Sequence, residues 1–225
     1  LKEIVRIGLP AGMQNFLFSI SNVLIQSAVN SFGSVMVAAT SASKNIEGFV
    51  GTAMNGYYNA AITFTGQNMG AKKYDRIDKI AKICTVLIFS TWIIMGGATL
   101  LFGRPLLGLY TSDSEVIELG MQRMKVLMVA YFTCGMMNVF PGLSRGMGYS
   151  FLPMICTLIG ACFMRIIWLK TVFVWSPTIV TLFACYPVTW GLTGLGQVGI
   201  FFYVRHRIRK SEEPAVELNT NALCS

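Results

Sequence analysis

Leu87–Leu101 reads LIFSTWIIMGGATLL, and Thr171–Val204 reads TVFVWSPTIVTLFACYPVTWGLTGLGQVGIFFYV; neither stretch contains a charged residue. About 20 consecutive apolar residues are what a helix needs to cross roughly 30 Å of hydrocarbon. Working outward from these two stretches, six apolar segments can be traced along the chain. They run over about Leu9–Phe32, Val37–Phe64, Ile80–Phe102, Val116–Phe140, Leu152–Val174 and Ile179–Val204. Pro10 opens the first, where a missing N–H is not needed. Gly103-Arg-Pro105 and Trp175-Ser-Pro177 punctuate two of the connections. The reading is an all-α membrane protein, a bundle of six transmembrane helices.

Composition agrees. Of 225 residues, 54% are hydrophobic and 12% charged, against about 25% charged in an ordinary soluble domain. The formal charge of +8 raises the question of nucleic acid, and the placement of the charges answers it. Lys2, Arg6, Lys72, Lys73, Arg76, Lys79, Lys82, Arg145, Arg205, Arg207, Arg209 and Lys210 all fall on one side of the six-span topology, twelve of the eighteen basic residues. The opposite side has Arg104 as its clear loop cation, with Lys44, Arg123, Lys125 and Lys170 near helix ends and Arg165 inside a span. Basic residues in that pattern orient helices, so both termini are expected in the cytoplasm and the chain in the plasma membrane. No nucleic-acid-binding module is present.

Five of the six cysteines lie within apolar segments, and His206 is the one histidine. Thiols so placed behave as small apolar side chains, and no metal site is expected. No constellation of enzymatic groups appears in the spans, so an enzyme is not expected. Residues 1–210 read as the membrane domain and 211–225 as a disordered cytoplasmic tail. The chain opens on Leu1 without a signal-peptide pattern, and reads as a piece of something longer.

Amides recur at helical spacing inside the spans. The first carries Asn15, Ser19, Asn22, Gln26 and Asn30, and the second Thr52, Asn55, Asn59 and Thr63. The sixth carries Tyr186, Trp190, Thr193 and Gln197, with Pro187 as an expected kink, and Asn138 lies near the end of the fourth. Such groups either join helices by hydrogen bonds of about 0.6 kcal/mol each or face a water-filled cavity. For three stripes together the cavity is the stronger reading. Its candidate residues are Asn15, Asn22, Gln26, Asn55, Asn59, Asn138 and Glu47. Glu47 is the carboxylate well inside a span; it either neutralises Lys44 one turn away or takes part in cation transport.

Gly66-Gln67-Asn-Met-Gly70-Ala71, followed by Lys72, Lys73 and Arg76, resembles the loop signature of the multidrug and toxic compound extrusion (MATE) family. In that family the segment closes the second and eighth helices on the cytoplasmic side. Gly8-Leu-Pro10, Gly33 and Ala38-Ala39 are similar to the start of that helix pair. Arg145-Gly-Met-Gly148 with Pro153 resembles the turn before the eleventh helix, and Arg165 an arginine within it. The motif glycines are expected to permit a close turn. The resemblance covers about residues 1–210. It implies one lobe of a twelve-helix transporter, helices seven to twelve, whose partner is a missing N-terminal six-helix lobe. It further implies efflux of small cationic or amphipathic drug-like molecules by antiport with Na⁺ or H⁺, and no resident cofactor. Two positions depart from the family pattern: the region around Phe18 is apolar where sodium-coupled relatives carry an acid, and Asn138 stands where many have a carboxylate. Alternatives are a lipid-linked oligosaccharide flippase of the same superfamily and a non-transporting membrane subunit.

Overall fold

A computed structural model describes the backbone over residues 2–223 and side chains over 8–210. The described residues form eight helical stretches: α1 (Lys2–Asn30), α2 (Ser34–Gly70), α3 (Asp75–Leu101), α4 (Gly103–Gly108), α5 (Ser114–Val129), α6 (Tyr131–Gly146), α7 (Phe151–Trp175) and α8 (Ile179–Leu223). α3 and α7 each contain one π-helical turn, at Trp92–Gly96 and Leu158–Phe163. With α5 and α6 counted as one and the short α4 set aside, the described helices correspond in number and order to the six expected spans. The tail expected at 211–225 falls outside the residues described to the side chain.

Length and hydropathy qualify α3, α7 and α8 to cross a membrane, and the α5–α6 pair makes a fourth. α1 and α2 have the length, with 29 and 37 residues, but the amides and hydroxyls along them dilute their hydropathy. The fourth span was expected as one continuous helix, and it is broken. α5 and α6 meet at 52°, across Ala130 at φ −109°, ψ 13°. Neither proline nor glycine sits at the break. The carbonyls it frees are taken up nearby: the Trp92 indole N–H donates to Met128 O at 2.7 Å, and Thr133 Oγ1 to Ala130 O at 2.6 Å. Pro141 and Pro187 lie inside α6 and α8, and both helices run through them.

α6 sits at the centre of the bundle, packed on α2 and α8. Small residues allow the approach. A Cβ on Gly146 would lie 2.6 Å from Thr65 Cβ and 2.9 Å from the Ile62 carbonyl. The core around these helices includes Val50, Met54, Ile88, Leu127, Val139, Leu143 and Phe201. Outward-facing positions on α3 (Ile83, Val86, Ile93, Ile94, Leu101) and α7 (Phe151, Ile159, Phe163, Ile167, Val174) are apolar and exposed, a surface suited to lipid.

The turns at the end bearing Lys72 and Arg145 share one design. Lys73 N–H bonds Asn68 O at 2.9 Å and Lys72 N–H bonds Met69 O at 3.1 Å; Tyr149 N–H bonds Ser144 O at 3.0 Å and Gly148 N–H bonds Arg145 O at 2.9 Å. Both are Schellman caps, which need a left-handed residue after the helix. In the second it is Gly148, at φ 87°. In the first it is Lys72, at φ 56°, which corrects the expectation that Gly66 and Gly70 make the turn. Those two glycines, with Gln67, belong to the last turn of α2, and Ala71 caps it. Gly66 faces the Gly146 carbonyl. Arg76 lies exposed in the first turn of α3.

Candidate functional site

Three of the expected residues converge on one cavity. It has a volume of about 360 Å³ and is bounded by Asn22 of α1, Glu47 of α2 and Asn138 of α6. Most of its remaining wall is aromatic or basic, from Phe18, Tyr131, Tyr186, Trp190, Lys44, Arg123 and Arg165, with Gly48, Cys134 and Met137 completing it. Gln26 stands just outside, its side-chain carbonyl accepting from Lys44 Nζ at 2.8 Å and its amide donating to Asn30 Oδ1 at 3.1 Å.

The charged groups meet differently from the sequence expectation. Glu47 closes no ion pair with Lys44. Its Oε2 accepts from Arg123 Nη2 of α5 at 2.7 Å, and Arg123 Nη1 donates to Ser43 Oγ at 3.0 Å. Arg123, taken from the sequence as lying near a helix end, is 2% exposed and lies over the Phe183 ring. A carboxylate held away from bulk water is stabilised by a nearby cation, and the packing of α5 on α2 makes Arg123 that cation.

Arg165 is wholly buried, held in α7 directly after the π turn. Its Nη1 donates to Asn22 Oδ1 at 2.9 Å, and its Nε reaches Thr189 Oγ1 at 3.5 Å. The guanidinium lies 4.8 Å from the Phe18 ring centre and 4.6 Å from that of Tyr186. The Phe18 and Tyr186 rings therefore serve as π faces for this arginine. Asn138 lines the cavity while its amide donates to its own helix, to Cys134 O at 2.8 Å.

Asn15, Asn55 and Asn59 do not line the cavity. They are exposed, and on α2 they belong to a continuous outer stripe of Lys44, Gly48, Thr52, Asn55, Asn59 and Thr63. Buried Ile46, Val50, Met54, Ala61 and Thr65 occupy the opposite side of that helix. The stripe of α8 divides. Tyr186 and Trp190 reach the cavity, whereas Thr193 and Gln197 are buried against α7. There Gln197 Nε2 donates to Pro153 O at 2.8 Å and to Thr157 Oγ1 at 2.9 Å, a helix-joining role rather than a cavity one. At the Lys72 end, Arg145 Nη2 donates to Gln14 Oε1 at 2.6 Å and its Nη1 to Tyr58 Oη, tying α6 to α1 and α2. Among the described residues no three His, Cys, Asp or Glu side chains gather as metal ligands.

Comparison with known proteins matches this arrangement to one family. The MatE family model matches residues 10–169. The chain is 26% identical over 158 residues to the probable multidrug resistance protein NorM of Thermotoga maritima, covering 70% of this chain and 34% of that one. It is 22% identical over 148 residues to the multidrug export protein MepA of Staphylococcus aureus, covering 66% and 33%. A crystal structure of the Vibrio cholerae MATE transporter VcmN in its bent form superposes with a TM-score of 0.82 at 19% identity, over 91% of this chain and 46% of that one. The chain thus spans about a third of the length of its curated relatives and just under half of the solved transporter. Named members of the family are transporters rather than enzymes. With the family model covering most of its length, the chain belongs to the MatE family, the multidrug and toxic compound extrusion transporters.

Proposed function

We propose that this chain is the C-terminal six-helix lobe of a secondary active exporter, working with a first lobe to move small amphipathic molecules out of the cell. The observation that carries the reading is the outer polar stripe of α2, from Lys44 to Thr63, beside a cavity walled by aromatic rings. Amides and hydroxyls exposed along a membrane helix are costly against lipid and favourable against water. The apolar outer faces of α3 and α7 are the lipid contact; the α2 face lines the path between lobes. A non-transporting subunit would have no use for that stripe.

Coupling to Na⁺ or H⁺ is the expected energy source, with both termini in the cytoplasm, where Lys72, Lys73 and Arg76 meet the anionic leaflet. Glu47, the carboxylate inside this lobe, is engaged by Arg123 at 2.7 Å, and an amide such as Asn138 carries no proton. Most of the coupling chemistry is therefore assigned to the first lobe. A second reading, a flippase for lipid-linked oligosaccharides, is favoured by the cations at the cavity, Lys44, Arg123 and Arg165.

The test is efflux from energised vesicles of ethidium, a cation, and of fluorescein, an anion, comparing this lobe alone with the lobe joined to a first lobe from its source genome. A Na⁺ gradient and a pH gradient are imposed in turn. Efflux by the joined protein under one gradient is the expected result. Absence of efflux from inserted, folded protein under both gradients refutes drug export and leaves the flippase reading.

A further inference from the structure

We infer that the cavity at Arg165 receives the anionic group of an aromatic organic acid, with its ring among Phe18, Tyr186 and Trp190. The inference rests on the reading of this cavity as part of the cargo path. Its charged lining is three cations, Lys44, Arg123 and Arg165, against one carboxylate, Glu47. Glu47 is committed to Arg123. The other two cations have neutral partners: Lys44 the side-chain carbonyl of Gln26 at 2.8 Å, and Arg165 the oxygens of Asn22 and Thr189.

The arginines are also under-bonded. Arg165 Nη2 and Arg123 Nε are buried without a hydrogen-bond acceptor. A guanidinium does not shed its proton to relieve this. Each missing acceptor leaves a donor desolvated, which a charged oxygen would remedy better than a neutral one. Two unneutralised positive charges in a confined, partly dry volume repel a cation and attract an anion far more strongly than they would in open water. The volume of about 360 Å³ is at the small end of ligand cavities. It accommodates a fused ring and a carboxylate, not a large drug.

The full chain in lipid nanodiscs is tested by equilibrium dialysis with two probes of the same ring and opposite charge, 2-naphthoate and 2-naphthyltrimethylammonium. No ion gradient is present. The expected result is saturable naphthoate binding on the order of tenfold tighter than the ammonium, since one nearby unit charge in this setting is worth at least that factor. Asn22→Asp is the informative variant. It is isosteric and sets a carboxylate against Arg165 Nη1, at the position now 2.9 Å away. Naphthoate affinity should fall on the order of tenfold, with helical content unchanged. Lys44→Gln, at an exposed position, should weaken naphthoate binding by about threefold and supplies a second measurement should the aspartate disturb folding. Tighter binding of the ammonium, absence of saturable naphthoate binding, or unchanged affinity in both variants overturns the inference. Intact naphthoate binding by a protein that exports nothing under either gradient removes the exporter reading and leaves the anion site standing.

Discussion

Replacing Glu47 by Gln tests whether the contact with Arg123 is an ion pair that the fold depends on or an incidental polar contact. The substitution keeps the shape of the side chain and one acceptor oxygen but removes the charge facing Arg123 Nη2 at 2.7 Å. Arg123 is left 2% exposed, with Ser43 Oγ as its neutral acceptor, the Phe183 face alongside, and Nε already unbonded. Removing one partner of a buried pair costs about 3–5 kcal/mol because the surviving charge is stranded. The Glu47 side chain is 16% exposed, so residual water lowers that to about 2–4 kcal/mol. A neutral hydrogen bond between membrane helices would be worth about 0.6 kcal/mol. The two cases are therefore well separated. SDS-driven unfolding of the reconstituted chain, followed by tryptophan fluorescence, measures the difference. A loss below about 1 kcal/mol for Glu47→Gln would refute the ion-pair argument. The double variant Glu47→Leu with Arg123→Met should recover most of the lost stability, because apolar replacement of both partners removes the stranded charge.

Lys72→Gly should stabilise the chain by about 1 kcal/mol, since it relieves the left-handed conformation of a residue with a Cβ; the same unfolding assay reads it, and a loss would mean that the lysine side chain contributes more than the backbone strain. Gly146→Ala should destabilise by about 1–3 kcal/mol, its new Cβ meeting Thr65 and the Ile62 carbonyl. Gln197→Leu should cost about 1 kcal/mol by removing the two hydrogen bonds that join α8 to α7, the Pro153 carbonyl keeping the Thr157 hydroxyl as its donor, and a neutral effect would show that this buried amide is dispensable. Cysteines introduced at Asn55 or Asn59 in the protein lacking its native thiols should react with a membrane-impermeant maleimide, and one at Ile94 should not. Equal protection at all three sites would contradict a watered α2 face.

The sequence by itself determined the class, the number of long helices and their order. These follow from hydropathy over 20-residue windows and from basic residues in loops, both of which are local properties. It also nominated Asn22, Glu47 and Asn138, alongside Asn15, Gln26, Asn55 and Asn59, because a polar group in a membrane helix needs a reason wherever it packs. Rotational setting decided the rest. Asn22 and Asn15 lie on the same nominal helix face, yet one bonds Arg165 and the other is exposed. The α8 amide Gln197 reads like a cavity residue and is instead clamped to the start of α7. Periodicity gives a face its chemistry but not its neighbour. The pairing of Glu47 with Arg123 rather than Lys44 joins residues 76 positions apart, and it is set by the seating of α5 against α2. Likewise the π turn before Arg165 and the Phe18 and Tyr186 rings that cover it come from three helices. A buried charge takes its partner from whatever the bundle brings within hydrogen-bonding distance, and that is a property of the packed tertiary structure alone.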